Sequence, residues 1–164
     1  MLSFCVFKNQ LHIASSSRKG IITLEKDDDI YKYLPDEKPS CVITLGGPYP
    51  FTKLRIILST ALGFAAGHNV ECHFIKTFDF LNDVFPGHLL TLETRRGDFF
   101  TFHENEGEKI LTKEEIKQRP YPIIHDETDW PFNMAEKLIE FYPKAEISKE
   151  PYYFYTPEYR KAKA

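Results

Sequence analysis

The sequence predicts an α/β fold built as two small lobes, each a mixed sheet flanked by helices. Ser40-Cys41-Val42-Ile43-Thr44-Leu45 is a β-branched run that stops at Gly46-Gly47-Pro48, after which apolar residues recur at helical spacing to Gly67. That succession reads as strand, tight turn, helix. Short apolar runs precede this unit, and a second set begins beyond Pro86-Gly87, which places a lobe boundary between residues 84 and 85. At 164 residues the chain fits one domain or two small lobes. A chain of this size buries roughly 70% of the surface that its unfolded form exposes.

The composition is that of a globular protein, with 42% hydrophobic, 27% charged and an elevated 15% aromatic residues. A net charge of -3 and a pI near 6.1 argue against a chain that grips nucleic acid by itself, since phosphate neutralisation needs a basic surface. Cys5, Cys41 and Cys72 are odd in number and lie in apolar runs, so they read as buried free thiols. Lys8 interrupts the apolar start and no small-residue cleavage pattern follows, so no signal peptide and a cytoplasmic location are expected. The longest uncharged stretch, Ile56 to Gly67, has 12 residues, short of the ~20 that a membrane-spanning helix needs.

In chain order, Leu2–Phe7, Leu11–Ser15 and Ile21–Leu24 predict an antiparallel three-stranded start. Asp27-Asp28-Asp29 opens a short polar segment through Tyr33, broken by Pro35 and Pro39, and its carboxylates read as a solvated turn or a helix N-terminus rather than a metal site. The helix after the Gly-Pro break carries Leu54, Ile57, Leu58, Ala61, Leu62 and Ala65 on one apolar face. Ser59, Gly63 and Gly67 lie four apart and leave a groove without bulky side chains. Each glycine costs that helix roughly 1 kcal/mol relative to alanine, and close approach of another backbone is the expected return. The alternative is a helix buried on both sides in its own domain.

His68, Cys72 and His73 invite a zinc reading, but no second ligand pair follows and strand alternation points Cys72 and His73 to opposite faces. Thr77–Leu81 predicts a short capped helix. Leu89–Glu93 and Phe99–His103 predict a hairpin around Arg95-Arg96-Gly97, with glycine supplying positive φ. Thr112 with Glu115 three residues on is a capping box, Tyr121–His125 a further strand, and Asp129-Trp130-Pro131 the start of a helix through Phe141 with Met134, Leu138 and Phe141 on one side. The tail from Pro151 is aromatic and ends in lysines, a pattern that either stacks on single-stranded nucleic acid or packs over its own lobe. No internal sequence repeat is visible.

Three segments resemble one family. Gly46-Gly47-Pro48-Tyr49-Pro50-Phe51-Thr52-Lys53-Leu54-Arg55 is similar to the Gly-Pro-Gly-Ser-Phe-Thr-Gly-Leu-Arg signature of TsaB, the actin-like partner protein of bacterial threonylcarbamoyladenosine synthesis. Gly47, Pro48, Phe51, Thr52, Leu54 and Arg55 match it, while Tyr49, Pro50 and Lys53 depart from it. Glu93-Thr94-Arg95-Arg96-Gly97-Asp98-Phe99-Phe100 resembles the family's Asp-Ala-Arg-Arg-Gly-Glu-Val-Tyr. Pro151-Tyr152-Tyr153-Phe154 resembles its terminal Pro-x-Tyr-Leu-Arg, with Tyr155 in place of the arginine. The resemblance spans residues 41 to 156, about, and implies an actin-like, ribonuclease-H-like fold.

It also implies a role. A TsaB-type chain pairs a helix bundle with the catalytic subunit TsaD, which transfers a threonylcarbamoyl group to the adenosine beside the anticodon of certain tRNAs; TsaE, an ATPase, joins them. The expected contacts to the partner helix are Phe51, Thr52, Arg55, Ser59, Gly63 and Gly67, with self-association through the same surface as a competitor. The chain departs from the wider superfamily at its start. The first acidic residue is Glu25 and the first turn is Lys8-Asn9-Gln10, so the phosphate-handling acidic loop is missing. The first helix of the resemblance is also reduced to about eight residues.

No Gly-x-Ser-x-Gly elbow, Gly-x4-Gly-Lys loop, His-Glu-x-x-His pair or Cys-x-x-Cys pair is present. The expectation is therefore a non-catalytic scaffold without cofactor or metal, whose contact with tRNA runs through the complex. Two alternatives stay open: a nucleotide- or metal-dependent hydrolase whose Asp79, Glu93 and Asp98 collect around a divalent ion, and a degenerate dimeric paralogue outside the modification machinery.

Overall fold

The computed structural model describes residues 1–7, 9–25, 29–48, 51–94, 96–125 and 132–152, without the side chains of 51–53. In chain order the elements are β1 (Leu2–Phe7), β2 (Gln10–Ala14), β3 (Lys19–Thr23), a 3-10 turn (Ile30–Tyr33), β4 (Cys41–Leu45) and α1 (Phe51–His68). There follow β5 (Glu71–Ile75), α2 (Thr77–Val84), β6 (Leu89–Glu93), β7 (Phe99–His103), β8 (Gly107–Leu111) and α3 (Lys113–Lys117). β9 (Ile123–His125), α4 (Met134–Phe141), a 3-10 turn (Tyr142–Lys144) and β10 (Ile147–Ser148) close the series.

Two mixed sheets result, as the sequence predicts. The first runs β10-β5-β4-β1-β2-β3, with β1, β2 and β3 antiparallel, β4 parallel to β1 and β5 parallel to β4. The second runs β8-β7-β6-β9, again an antiparallel meander followed by a strand parallel to its first member. One topology therefore occurs twice, although the sequence shows no repeat. Strand pairing needs only alternation and turn chemistry, which unrelated sequences can supply.

Both faces of the first sheet are covered, which is why β1 is buried along its whole length and reads as an unbroken apolar run. Leu2, Phe4 and Val6 pack in one cluster with Ile57, Ala61, Phe64 and Ala65 of α1 and with Ile30 and Leu34 beside the first 3-10 turn. Cys5 and Phe7 point the other way, into a cluster with Met134, Ala135, Leu138 and Phe141 of α4 and with Leu90, Leu92 and Phe100 of the second sheet. That second cluster joins the lobes. The strands separate cleanly between residues 84 and 89, but α4 and β10 return to the first sheet, α4 against β1 and β2 and β10 against β5. An ion pair between Lys76 and Glu108 adds a polar link from the β5–α2 junction to β8.

Local signals are mostly met. Thr112 accepts from the Glu115 N–H at 3.3 Å while the Glu115 carboxylate accepts from the Thr112 N–H at 2.8 Å, a complete capping box. Gly97 turns the β6–β7 hairpin at φ +83°. Asp29 accepts from the Tyr31 N–H at 2.9 Å and caps the first 3-10 turn, while Asp27 and Asp28 lie outside the described residues. Three expectations need correction. Leu62, expected on the apolar face of α1, is 48% exposed, and Phe64 fills the core position because the buried face is centred nearer Ala61. Thr77 does not cap α2; it is the first helical residue, and its N–H is taken by Gly47 O at 2.8 Å. Asp129, Trp130 and Pro131 lie outside the described residues, and the described helix starts at Met134 behind the cap residue Asn133.

Candidate functional site

Strand β4 ends in the turn that carries the first sequence motif. Gly46 N donates to Ile75 O at 2.8 Å, and Gly46 O accepts from Tyr152 N at 2.7 Å. A Cβ on Gly46 would lie 2.8 Å from Phe74 Cβ and 3.1 Å from Tyr152 Cδ2. On Gly47, at φ +112°, it would lie 2.3 Å from the Tyr152 carbonyl oxygen. Gly47 is restricted to glycine by the segment that crosses it and by its backbone angle, and Gly46 first by Phe74 of β5 and then by the Tyr152 ring. Pro48 is buried behind them. The first motif and the third thus meet in space. Tyr152 makes the contact; Tyr153, the residue the resemblance singled out, lies outside the described residues, as do Tyr49 and Pro50. Spacing along the chain carries no trace of this contact, because it joins positions over a hundred residues apart.

Helix α1 then divides into two faces. Leu54, Ile57, Leu58, Ala61, Phe64 and Ala65 are buried, so Leu54 serves the protein's own core. Arg55, Ser59, Gly63 and Gly67 are all exposed, together with Ile56 at 47% and Leu62 at 48%. A Cβ on Gly63 or on Gly67 would meet nothing within 4 Å. Ser59 Oγ donates back to Ile56 O at 3.0 Å, within its own helix. The side chains of Phe51 and Thr52 lie outside the described set. The glycine-notched side is therefore left open by the described residues, and between Arg55 and Gly67 it holds one charged residue beside two large aliphatic ones. A solvent-facing helix surface is normally dominated by charged and polar residues.

The second motif sits elsewhere. Arg96 and Gly97 are exposed at the β6–β7 hairpin of the second sheet, where Thr94 Oγ1 accepts from Arg96 N at 3.3 Å; Arg95 is outside the described residues. The structure thus joins the first motif to the third, with the second on its own hairpin.

The carboxylates of the hydrolase alternative do not assemble. Asp79 is in the first turn of α2, Glu93 at the exposed end of β6 and Asp98 beside the hairpin turn. Among the described residues no group of three or more His, Cys, Asp or Glu is placed to hold a metal ion. Desolvation raises the Asp79 carboxyl above its ordinary value, with Lys76 opposing and Glu108 and Glu146 adding. Of the His68, Cys72 and His73 set, His68 packs on the Phe64 ring at 4.3 Å, and His73 bonds Tyr142 OH at 2.7 Å and Glu71 Oε2 at 3.1 Å. Burial pushes the Cys72 thiol up to about 12. Among the described residues no helix is long and apolar enough to cross a membrane.

No protein-family model and no curated protein matches the chain. Solved structures do. YeaZ from Pseudomonas aeruginosa superposes with a TM-score of 0.58 at 11% identity, over 93% of this chain and 98% of that one. An uncharacterized protein with similarity to peptidase YEAZ, also from Pseudomonas aeruginosa, gives 0.57 at 11% identity over 94% and 98%. At that identity the likeness establishes the fold, the two-lobed actin-like architecture with a mixed sheet in each lobe.

Proposed function

We propose that this chain is a TsaB-type, non-catalytic partner subunit in tRNA threonylcarbamoyladenosine modification, and that it offers the open face of α1 to a TsaD-type catalytic subunit in the cytoplasm. The observation that carries the reading is the glycine-notched, charge-poor side of α1, left uncovered by the described residues. Whole-length likeness to YeaZ supports it, as do the three motifs in the family's order.

The physics of such a face is simple. Packed helices approach to about 8–10 Å depending on the side chains at the crossing, and small residues allow the shorter distance. Ser59, Gly63 and Gly67 supply the groove, Ile56 and Leu62 the apolar rim, and Arg55 a polar edge. A second helix laid there would bury the exposed aliphatic side chains, at about 25 cal/mol per Å² of apolar surface removed from water. The chain itself performs no chemistry in this reading. It orders a site on the partner, with a TsaE-type ATPase as a further member and tRNA reached through the complex.

Gly63→Leu tests the reading cleanly. Its Cβ meets nothing within 4 Å, so the isolated variant should fold as well as the parent and gain up to ~1 kcal/mol of helix propensity. Sedimentation of the chain mixed with the catalytic subunit should show a complex that Gly63→Leu abolishes, together with loss of modified tRNA in a reconstituted reaction. A variant that binds and supports modification like the parent overturns the assignment. Self-association lost in the same variant, with no complex formed by the parent, would instead favour the dimeric paralogue.

A further inference from the structure

We propose that His12 is a pH-operated pin: as a neutral imidazole it holds the N-terminus of α4 against the first sheet, and on protonation it releases that helix. His12 lies on β2, fully buried, and its Nδ1 accepts a hydrogen bond from Met134 N at 3.1 Å. A backbone N–H can only donate, so Nδ1 carries the lone pair and the ring proton sits on Nε2. Nε2 is buried and has no hydrogen-bond partner among the described residues.

A second ring proton would land on Nδ1, facing the Met134 N–H donor. The bond would be lost, two donors would face each other, and a cation would be enclosed at the positive end of a helix.

The described residues that flank the ring on β1 and β3 bring no carboxylate. From β1, Cys5 stands opposite His12 in register, and burial holds its thiol protonated far above the ordinary range. Ser3, on the same face of β1, has a hydroxyl without a partner among the described residues, and the Phe7 ring meets the imidazole edge-on at 6.0 Å. From β3, Ile21 is opposite in register, and Lys19 is engaged at 2.8 Å with Glu136 of α4, the carboxylate in that helix's first turn. Burial accordingly pushes the imidazole down to about 4 from its ordinary value of 6.5.

The sign follows from linkage. The undocked state binds a proton with ordinary affinity and the docked state does not, so docking is fully present above about pH 6.5 and weakens as pH falls toward 4. What opens is specific. α4 gives Met134, Ala135, Leu138 and Phe141 to the cluster shared with Leu90, Leu92 and Phe100, which Leu54 and Leu58 of α1 also join, whereas Ile57, Ala61, Phe64 and Ala65 of α1 pack in the other cluster. Acidification would therefore loosen the joint between the lobes and leave the Ala61 and Ala65 side of α1 in place.

Amide hydrogen exchange of the whole chain between pH 7.5 and 4.5 tests this, with rates corrected for intrinsic exchange. Protection at Ala135 and Leu138 should fall about tenfold per pH unit below pH 6.5, while Ala61 and Ala65 in α1 hold constant. His12→Gln places a non-titrating carbonyl acceptor near the Met134 N–H and should make α4 protection independent of pH. The proposal is overturned if α4 and α1 respond to pH alike, or if His12→Gln keeps the parent's slope. Should that variant not fold, NMR titration of the parent's imidazole decides. Ionisation well below 6.5 in step with the α4 amides supports the pin; ionisation near 6.5, or without any response of α4, overturns it.

Discussion

Gly47→Ala isolates the reason for the glycine pair at the end of β4. The substitution meets two obstacles. Its backbone sits at φ +112°, where an L-residue costs about 1–3 kcal/mol. Its new methyl group would also lie 2.3 Å from the Tyr152 carbonyl oxygen, more than 1 Å inside contact, roughly, so the crossing segment has to shift at an overpacking cost of about 1–3 kcal/mol. The sum, about 2–6 kcal/mol, is a large part of the 5–15 kcal/mol, roughly, that holds a domain folded. Urea denaturation of the variant and the parent measures it.

Removing residues 151–164 separates the two contributions, because the Tyr152 carbonyl goes and the backbone angle stays. In the shortened chain Gly47→Ala should cost only about 1–3 kcal/mol, and the cycle cancels the truncation's own effect. Gly46→Ala is the internal control. Its methyl would meet Phe74 Cβ at 2.8 Å as well as the Tyr152 ring at 3.1 Å, so truncation should relieve it only in part. A Gly47→Ala cost below about 0.5 kcal/mol, or one that truncation leaves unchanged, would refute the claim that the tail dictates glycine here.

Two further outcomes test the packing around α4 and the first sheet. Asn133→Ala removes the cap on Ala135 N at 3.0 Å and the side-chain bonds to Ile13 O at 2.8 Å and Gly20 O at 3.2 Å. A loss of about 2 kcal/mol in urea denaturation is expected, and a loss under about 0.5 would show that the Asn133 side chain does not help to seat α4. Burial raises the thiols of Cys5 and Cys72, so at pH 8 neither should be alkylated by iodoacetamide in the native chain, while both react once the chain is unfolded. Site-resolved mass spectrometry reads this directly, and rapid native labelling of Cys5 would contradict its burial.

The sequence by itself determined the local pieces. Alternating and continuous apolar runs marked the strands, Thr112 with Glu115 marked a helix start, Gly97 a hairpin, and the spacing of Ser59, Gly63 and Gly67 a thin side on α1. Each of these is decided within a few residues, by sterics and hydrogen bonds that neighbours along the chain supply. Tertiary structure decided which distant segment covers which surface. That Tyr152 crosses Gly46 and Gly47, that α4 seats on His12, that Leu62 faces out while Phe64 faces in, and that one strand plan occurs twice all depend on contacts between remote positions. Periodicity tells which side of an element shuns water; it is silent on what comes to cover that side, because burial is non-directional and many partners satisfy it equally.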